Sequence, residues 1–427
     1  MAQIKDLKTG IKYKDTPIGK IPVDWEVVRL SDVSEINMGQ SPPSEDCSQE
    51  AKGLPFYQGN ADFGSKYPSP QKWCINSKKI ANEGDILISV RAPVGDINIA
   101  PHKCCIGRGL AAVSAKAVHD EFLYHSLFLH MKALQKIAQG STFEAVNSKE
   151  LSDLMVFLPP VLEQKKIAEF LTAVDEAIDK IDQIIEKTKE VKKGLMQKLL
   201  TRGIGHKKFK KTELGEIPEK WEIKTFKKLL EGGILSKIQD GNHGNDHPKS
   251  SDYVPSGVPF IMANNLVDGT VDIRDCKFIR KDQADKLRVG FAISGDVLLS
   301  HKGTIGRVAI VPEIKDYIML TPQVTYYRIG RVDKLSNAFL RYVMESRGFQ
   351  EHISKLSKQS TRNYIGISQQ KNLFMVLPSL NEQKQIAEIL SSVDNEIVEE
   401  LNHKDQLESL KRGLMQVLLT GKIRVSM

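Results

Sequence analysis

The chain has 427 residues, of which 41% are hydrophobic and 27% charged, with a formal charge of +8 and a pI near 9.0. That composition is ordinary for a globular protein and gives room for roughly two to four domains. No apolar run approaches the ~18 residues that span a bilayer, and the basic balance points to an acidic partner, nucleic acid first.

The opening, MAQIKDLKTG, lacks the apolar stretch of a signal peptide. Cys47, Cys74, Cys104, Cys105 and Cys276 form no CxxC pair, which argues for reduced thiols in a cytoplasm and against a zinc site or a disulfide framework.

In chain order, IGKIPVDWE (Ile18 to Glu26) leads into a first globular segment. DILISV, from Asp85, reads as a short buried strand, and PVGDINIA, from Pro93, as the next strand after a glycine turn. DEFLYHSLFLHMKALQKIAQ (Asp120 to Gln139) reads as an amphipathic helix. A long helix follows the prolines after Leu158 and ends at Gly203. Its Ile167, Leu171, Val174, Ile178, Ile181 and Ile185 step by fours and threes, the seam of a coiled coil. HKKFKK (His206 to Lys211) then reads either as a phosphate contact or as a solvated linker.

The same order then repeats. LGEIPEKWE (Leu214 to Glu222) matches at an offset of 196, VPFIMAN (Val258 to Asn264) matches LPFYQGN (Leu54 to Asn60) at 204, and GDVLLSHKGTIG (Gly295 to Gly306) matches GDILISVRAPVG (Gly84 to Gly95) at 211. NAFLRYVMESRGFQEHISKL (Asn337 to Leu356) reads as the counterpart helix. EQKQIAEIL (Glu382 to Leu390) matches EQKKIAEFL (Glu163 to Leu171) at 219, and that offset holds without a gap through GLMQKLLT (Gly194) and GLMQVLLT (Gly413). An ungapped match over almost forty residues predicts a duplicated rigid element, here a second long helix ending at Gly421 with Ile386, Leu390, Val393 and Ile397 in its seam. Gly194 and Gly413 inside these helices read as close approach of the sister helix or a partner, or as a relic of duplication.

The linker before the second half has a counterpart split between the termini: LLTGKI near the end and KYKDTPIGKIP near the start. The chain therefore reads as a cyclic repeat cut in one linker, with its termini close together. Mixed strands and helices without regular βαβ alternation predict an α+β fold.

Enzyme chemistry is hard to find. GRGLAA (Gly107 to Ala112) imitates a dinucleotide fingerprint, but the pattern alone is weak and TPQVTY in the second half lacks it. The sequence has no GxxxxGK[ST] for ATP and no [DN]PP[FYW] for an amino-methyltransferase. Glu163-Gln-Lys165 and Glu382-Gln-Lys384 echo a nuclease ExK, yet they fall in a first helical turn, where Glu favours the dipole. What remains is two related, divergent modules and two long helices, the geometry of two readers and a ruler on DNA. Loop side chains able to reach base edges and phosphates are Gln40, Ser41, Gln58, Asn60, Arg91 and Arg108 in the first module. In the second they are Gln239, Asn242, His243, Asn264, Asn265, His301, Lys302 and Arg362. Each of these is equally well read as an ordinary polar loop residue.

The GKIPVDWE and GEIPEKWE pair, GDILIS and GDVLLS, LPPVLEQKKIAEFL and LPSLNEQKQIAEIL, and the GLMQ helix ends resemble the specificity subunit of a type I restriction-modification system. IQDGNHG (Ile238 to Gly244) also resembles the DG-x-H stretch of one class of these domains, whereas the first module has INMGQSPPS there. The resemblance implies two target-recognition domains (1–157 and 204–376), each reading half of a bipartite double-stranded DNA site, and two antiparallel spacer helices (158–203 and 377–427) that set the gap. It implies that these helices dock two methyltransferase (modification) subunits, joined by motor-endonuclease (restriction) subunits. Glu163, Gln164, Ile167, Leu171, Gly194 and Met196 would serve spacer and partner contacts, with Glu382, Gln383, Ile386, Leu390, Gly413 and Met415. S-adenosylmethionine, Mg²⁺ and ATP would belong to the partners, and this chain would bind no cofactor or metal, catalyse nothing and meet no membrane. A system with fused nuclease and methyltransferase, a self-contained enzyme and a scaffold without DNA specificity stay open as alternatives.

Overall fold

The structure is a computed structural model that describes residues 11–139, 145–243, 247–358 and 363–425. It divides into two compact units, one of residues 1–183 with 401–427 and the other of the continuous stretch 184–400. Each contains one globular module and a segment of both long helices.

In the first unit, Ile97–Ile99, Ile86–Ser89, Leu110–Ala115 and Ser34–Met38 lie side by side, in that order, as an antiparallel sheet. The run Ile86-Leu87-Ile88 is apolar throughout because both faces of its strand are covered. Ile86 and Ile88 face the helix Asp120–Gln139, while Leu87 faces a second, five-stranded sheet. That helix buries Leu123, Leu127, Met131 and Leu134, a step of fours and threes that makes one continuous stripe. In the second sheet Leu54–Tyr57 runs parallel to Cys104–Ile106, and the connection between them spans the whole hairpin region of the first sheet.

The second unit repeats this plan and elaborates it. Val308–Ile310, Val297–Ser300, Val324–Ile329 and Leu235–Asp240 form the corresponding sheet, widened at one edge by Gly269–Val271 and Leu266–Val267. Those two strands make a hairpin whose turn is Asp268-Gly269, both with positive φ (47° and 77°). An Asp-Gly pair suits that turn because glycine tolerates a left-handed backbone and Asp is among the few residues that visit it. The hairpin lies where the repeat offset grows from 204 to 211.

The predicted helix from Asn337 is in fact two, Asn337–Glu345 and Arg347–Lys358. Ser346 is extended (φ −60°, ψ 146°) and serves both ends. Its hydroxyl donates to the Val343 carbonyl at 2.6 Å and accepts from the Phe349 amide at 3.4 Å. A serine that caps both neighbours breaks the helix without losing a backbone partner.

The long helices are Val161–Arg202 and Leu380–Leu418. The first stops at Gly203 (φ 62°) and the second passes into a turn closed at Gly421 (φ 65°), left-handed positions that a glycine fills without strain. Within the first unit Asp175 pairs with Lys411 and Asp182 with Lys404, both at 2.6 Å, so seven residues up one helix match seven down the other. That is an antiparallel pair. In the second unit Lys192 meets Asp394 at 2.6 Å, the Asp175–Lys411 pair with the two helices exchanged at the offset of 219. The N-terminal hairpin and the C-terminal tail also meet. Tyr13 donates to the Gly421 carbonyl at 3.2 Å, and Ile18, Trp25, Leu419, Ile423 and Val425 share one apolar cluster.

Candidate nucleic-acid interface

The loops at one end of each module are tied to each other by backbone hydrogen bonds. In the first, Gly39 donates to Leu110, Gln40 to Ile106, Gly107 to Tyr57, Val90 to Gly109 and Val146 to Val90, all at 2.8–3.0 Å. In the second, Gly241 donates to Val324, Thr321 to Ile261, His301 to Gln323 and Ile365 to His301. Arg91 pairs through its backbone with Ala145, and Lys302 likewise with Tyr364. The modules thus hold the same loops on the same scaffold, and differ in what those loops carry.

Ser41, Gln58 and Arg108 come together around one recess of about 320 Å³, with Phe56 and Lys72 in its wall. The Arg108 amide donates to the Ser41 hydroxyl at 3.4 Å. Gln40 and Arg91 are exposed. Asn60 is half-buried and its amide donates to the Asp96 carboxylate at 3.1 Å. In the second module His243, Asn264 and Lys302 are exposed. Gln239 is half-buried and accepts from the Tyr326 hydroxyl at 2.9 Å. Arg362 lies outside the described residues.

Three expected readers are not on the surface. Asn265 is buried because its side chain closes a turn, accepting from the Met262 amide (2.9 Å) and donating to the Asp275 carbonyl (2.7 Å). His301 has no exposure, and burial pushes its pKa down to about 4, so the ring is neutral. Asn242 is also buried. An amide or imidazole in these loops reads as a surface group only until packing is known.

The duplicated EQ signature has a different place from the one expected. Glu163 is buried, and its carboxylate accepts from the Trp25 indole N–H at 2.9 Å and from Arg424 at 2.7 and 2.8 Å. Arg424 also grips Asp24 at 2.6 and 2.9 Å, and that contact holds the Asp24 carboxyl below its usual range. Glu382 repeats the arrangement with Trp221 (3.0 Å), His206 (2.8 Å) and the Ile204 amide (3.0 Å). Arg424 and His206 stand three residues beyond the glycines that end the two helices. His206 therefore leaves the HKKFKK stretch for this anchor.

Gln164 accepts from the His119 amide and donates to Pro159, while Gln383 accepts from Ser336 and donates to Lys334 and Pro378, all at 2.8–3.0 Å. Ile167 and Leu171 are buried with Trp25 and Phe157, and Ile386 and Leu390 with Trp221 and Phe339. These eight residues tie each helix start to its own module, and all but the half-buried Glu382 are buried there. The Trp of each IPxxW repeat carries no role in the sequence pattern alone, and its recurrence beside the recurring Glu is the one signal of the anchor.

Gly194 and Gly413 are exposed, and a Cβ at either would meet nothing within 4 Å, so neither accommodates the sister helix. Met196 and Met415 are half-buried against the cores. Near the glycines the helices expose Val191 (56%) and Leu410 (51%), and nearer their starts Phe170 and Ile389, two pairs related by the same offset of 219.

Among the described residues there is no group of His, Cys, Asp and Glu that would hold a metal, and no helix long and apolar enough to cross a membrane. Replacing Arg424 by Ala leaves Glu163 with the Trp25 indole alone of its three donors, and breaking such a pair costs about 3 kcal/mol. The expected result is a lower unfolding midpoint for the first unit, read by Trp25 fluorescence in urea. An unchanged midpoint would mean that the tail does not hold the module.

The sequence matches the family described as type I restriction modification DNA specificity domain twice, over residues 22–190 and 207–409. The chain belongs to that family. Among its relatives is the type I restriction enzyme MjaVIII specificity subunit of Methanocaldococcus jannaschii, 32% identical over 95% of this chain and 94% of that one. The EcoKI specificity subunit of Escherichia coli is 22% identical over 86% of this chain and 82% of its own. The fold is also that of the crystal structure of a type I restriction-modification S subunit from M. genitalium, with a TM-score of 0.57 at 14% identity over 94% and 96% of the two chains.

Proposed function

We propose that this chain selects DNA sites for a type I restriction-modification complex, each module reading one half of a bipartite duplex target. The observation that carries this is the pair of identical loop scaffolds with different side chains. Where the first module presents Arg108 and Gln58 at its recess and an exposed Arg91, the second presents Lys302, Asn264 and His243. Such residues contact phosphates and base edges. The modules correspond to residues 1–157 and 204–376, and the helical spacers to 158–203 and 377–427.

The spacer sets the gap between half-sites, and its exposed faces carry the partners. Val191 with Gly194 on one helix and Leu410 with Gly413 on the other are the same surface twice, which suits two copies of one modification subunit. A side-chain-free glycine beside an apolar residue admits a partner helix closely. S-adenosylmethionine belongs to those subunits, and Mg²⁺ and ATP to the complex with the motor-endonuclease subunits, all in the cytoplasm.

The purified chain alone should methylate, cut and hydrolyse nothing, and adenine methylation at a bipartite site should appear only with modification subunits. Mapping methylated adenines with and without this chain tests the reading. Site-specific methylation that persists in its absence would overturn it.

A further inference from the structure

One corner of the second module is polar where the first is apolar. In the first, Met38 lies opposite Ala111 across the sheet, with Val90 and Ala145 in the adjoining loops. The equivalent residues of the second are Asp240 opposite Thr325, with His301 and Tyr364. All four positions differ in the same sense. Thr325 and His301 have no exposure, and among the described residues the Thr325 hydroxyl and the His301 Nε2 have no partner. His301 Nδ1 is held by the Ile365 carbonyl at 3.1 Å, and its ring centroid lies 5.4 Å from that of Tyr364.

Buried polar groups with unused hydrogen-bonding capacity weaken a core that an apolar set would strengthen. They do give Asp240 a polar floor. Its side chain is 15% exposed, and its carboxylate lies 2.6 Å from Nε2 of His243, whose own side chain is half exposed. A carboxylate accepts only, so the proton between them sits on Nε2, and the singly protonated form of the ring keeps a lone pair on Nδ1. The first module has Ser41 at the position of His243 and no acid behind it.

We propose that Asp240 is a positioning residue through which His243 reads one base pair of the second module's half-site. The Nδ1 lone pair accepts from a base amino group, adenine N6 or cytosine N4, in the major groove. This rests on the two-reader function proposed above, and gives one of its contacts a chemical sign. A guanine N7 or O6, itself an acceptor, is refused at that position.

The test uses the full chain assembled with its modification subunits and a DNA library randomised in both half-sites. His243→Ala and Asp240→Ala should lose discrimination at the same single position, by about tenfold or more. All other preferences should stay. His243→Gln, whose amide oxygen also accepts, should keep part of the preference, which a merely structural role would not predict. Preserved reading of the first half-site reports that each variant is folded and assembled. Should Asp240→Ala fail to assemble, Asp240→Asn, which keeps an acceptor for Nε2, is expected to retain the wild-type base.

Unchanged preferences in both alanine variants overturn the proposal, as does loss at two different positions. Equal weakening for every sequence also overturns it, since it would place His243 on a phosphate. A wild-type complex that ignores the second half-site altogether would instead remove the underlying two-reader function.

Discussion

A chain whose residues 20–155 come from a relative with another target should direct methylation to a site changed in one half only. The module's proposed readers all lie inside that stretch, on loops tied to each other by backbone bonds. Each altered base pair carries about 1–3 kcal/mol, roughly additively, so three altered positions shift preference by about a hundredfold at the least. The graft has conditions that the structure sets. The donor must supply a tryptophan for Glu163 and an acid for Arg424, where this chain has Trp25 and Asp24. It must also re-form the pairing of Glu26–Arg29 with Met155–Leu158, the strand that leads into the long helix. Methylation mapping that showed both halves changed, or neither, would sink the division of labour.

Lengthening the spacer should move the half-sites apart and leave the bases read unchanged. Four residues add about 6 Å, close to two base-pair steps, and turn the outer part of the helix by roughly 40° beyond one full turn. An insertion near Thr188 alone would slip the antiparallel register that joins Lys192 to Asp394. A matching insertion near Val398 of the second helix restores it. The doubly lengthened chain should methylate sites with the wider gap at reduced rate, and the singly lengthened one should do so worse. The original gap used at full efficiency by the double variant would mean that the helices do not measure it.

The long helices and the paired strands are readable because each is a local pattern written twice. A seam of fours and threes or an apolar run bounded by glycine needs no distant residue to be recognised. The anchors are not readable for the opposite reason. Glu163 meets a tryptophan 138 positions away and an arginine 261 away, and nothing near LEQKK announces either. A glutamate in a first turn after proline looks satisfied by the helix dipole alone. The break at Ser346 is hidden because the apolar period continues on either side of it. In the candidate interface, residue type identifies groups able to touch DNA, but depth decides which of them do. His301 and Lys302 are neighbours in sequence, one without exposure and the other on the surface.

The split of the first unit between the two ends of the chain bears on how the protein is made. Residues 184–400 contain everything the second unit needs, and leave the ribosome as one stretch. The first unit begins to emerge earlier yet stays incomplete, because Lys411, Leu418 and Arg424 follow the whole of the second unit along the chain. Until then Glu163 lacks its arginine and the start of the first long helix lacks its antiparallel mate. The module translated first is therefore completed after the second, and a ribosome that stalls between residue 400 and Lys411 leaves one closed module and one open one.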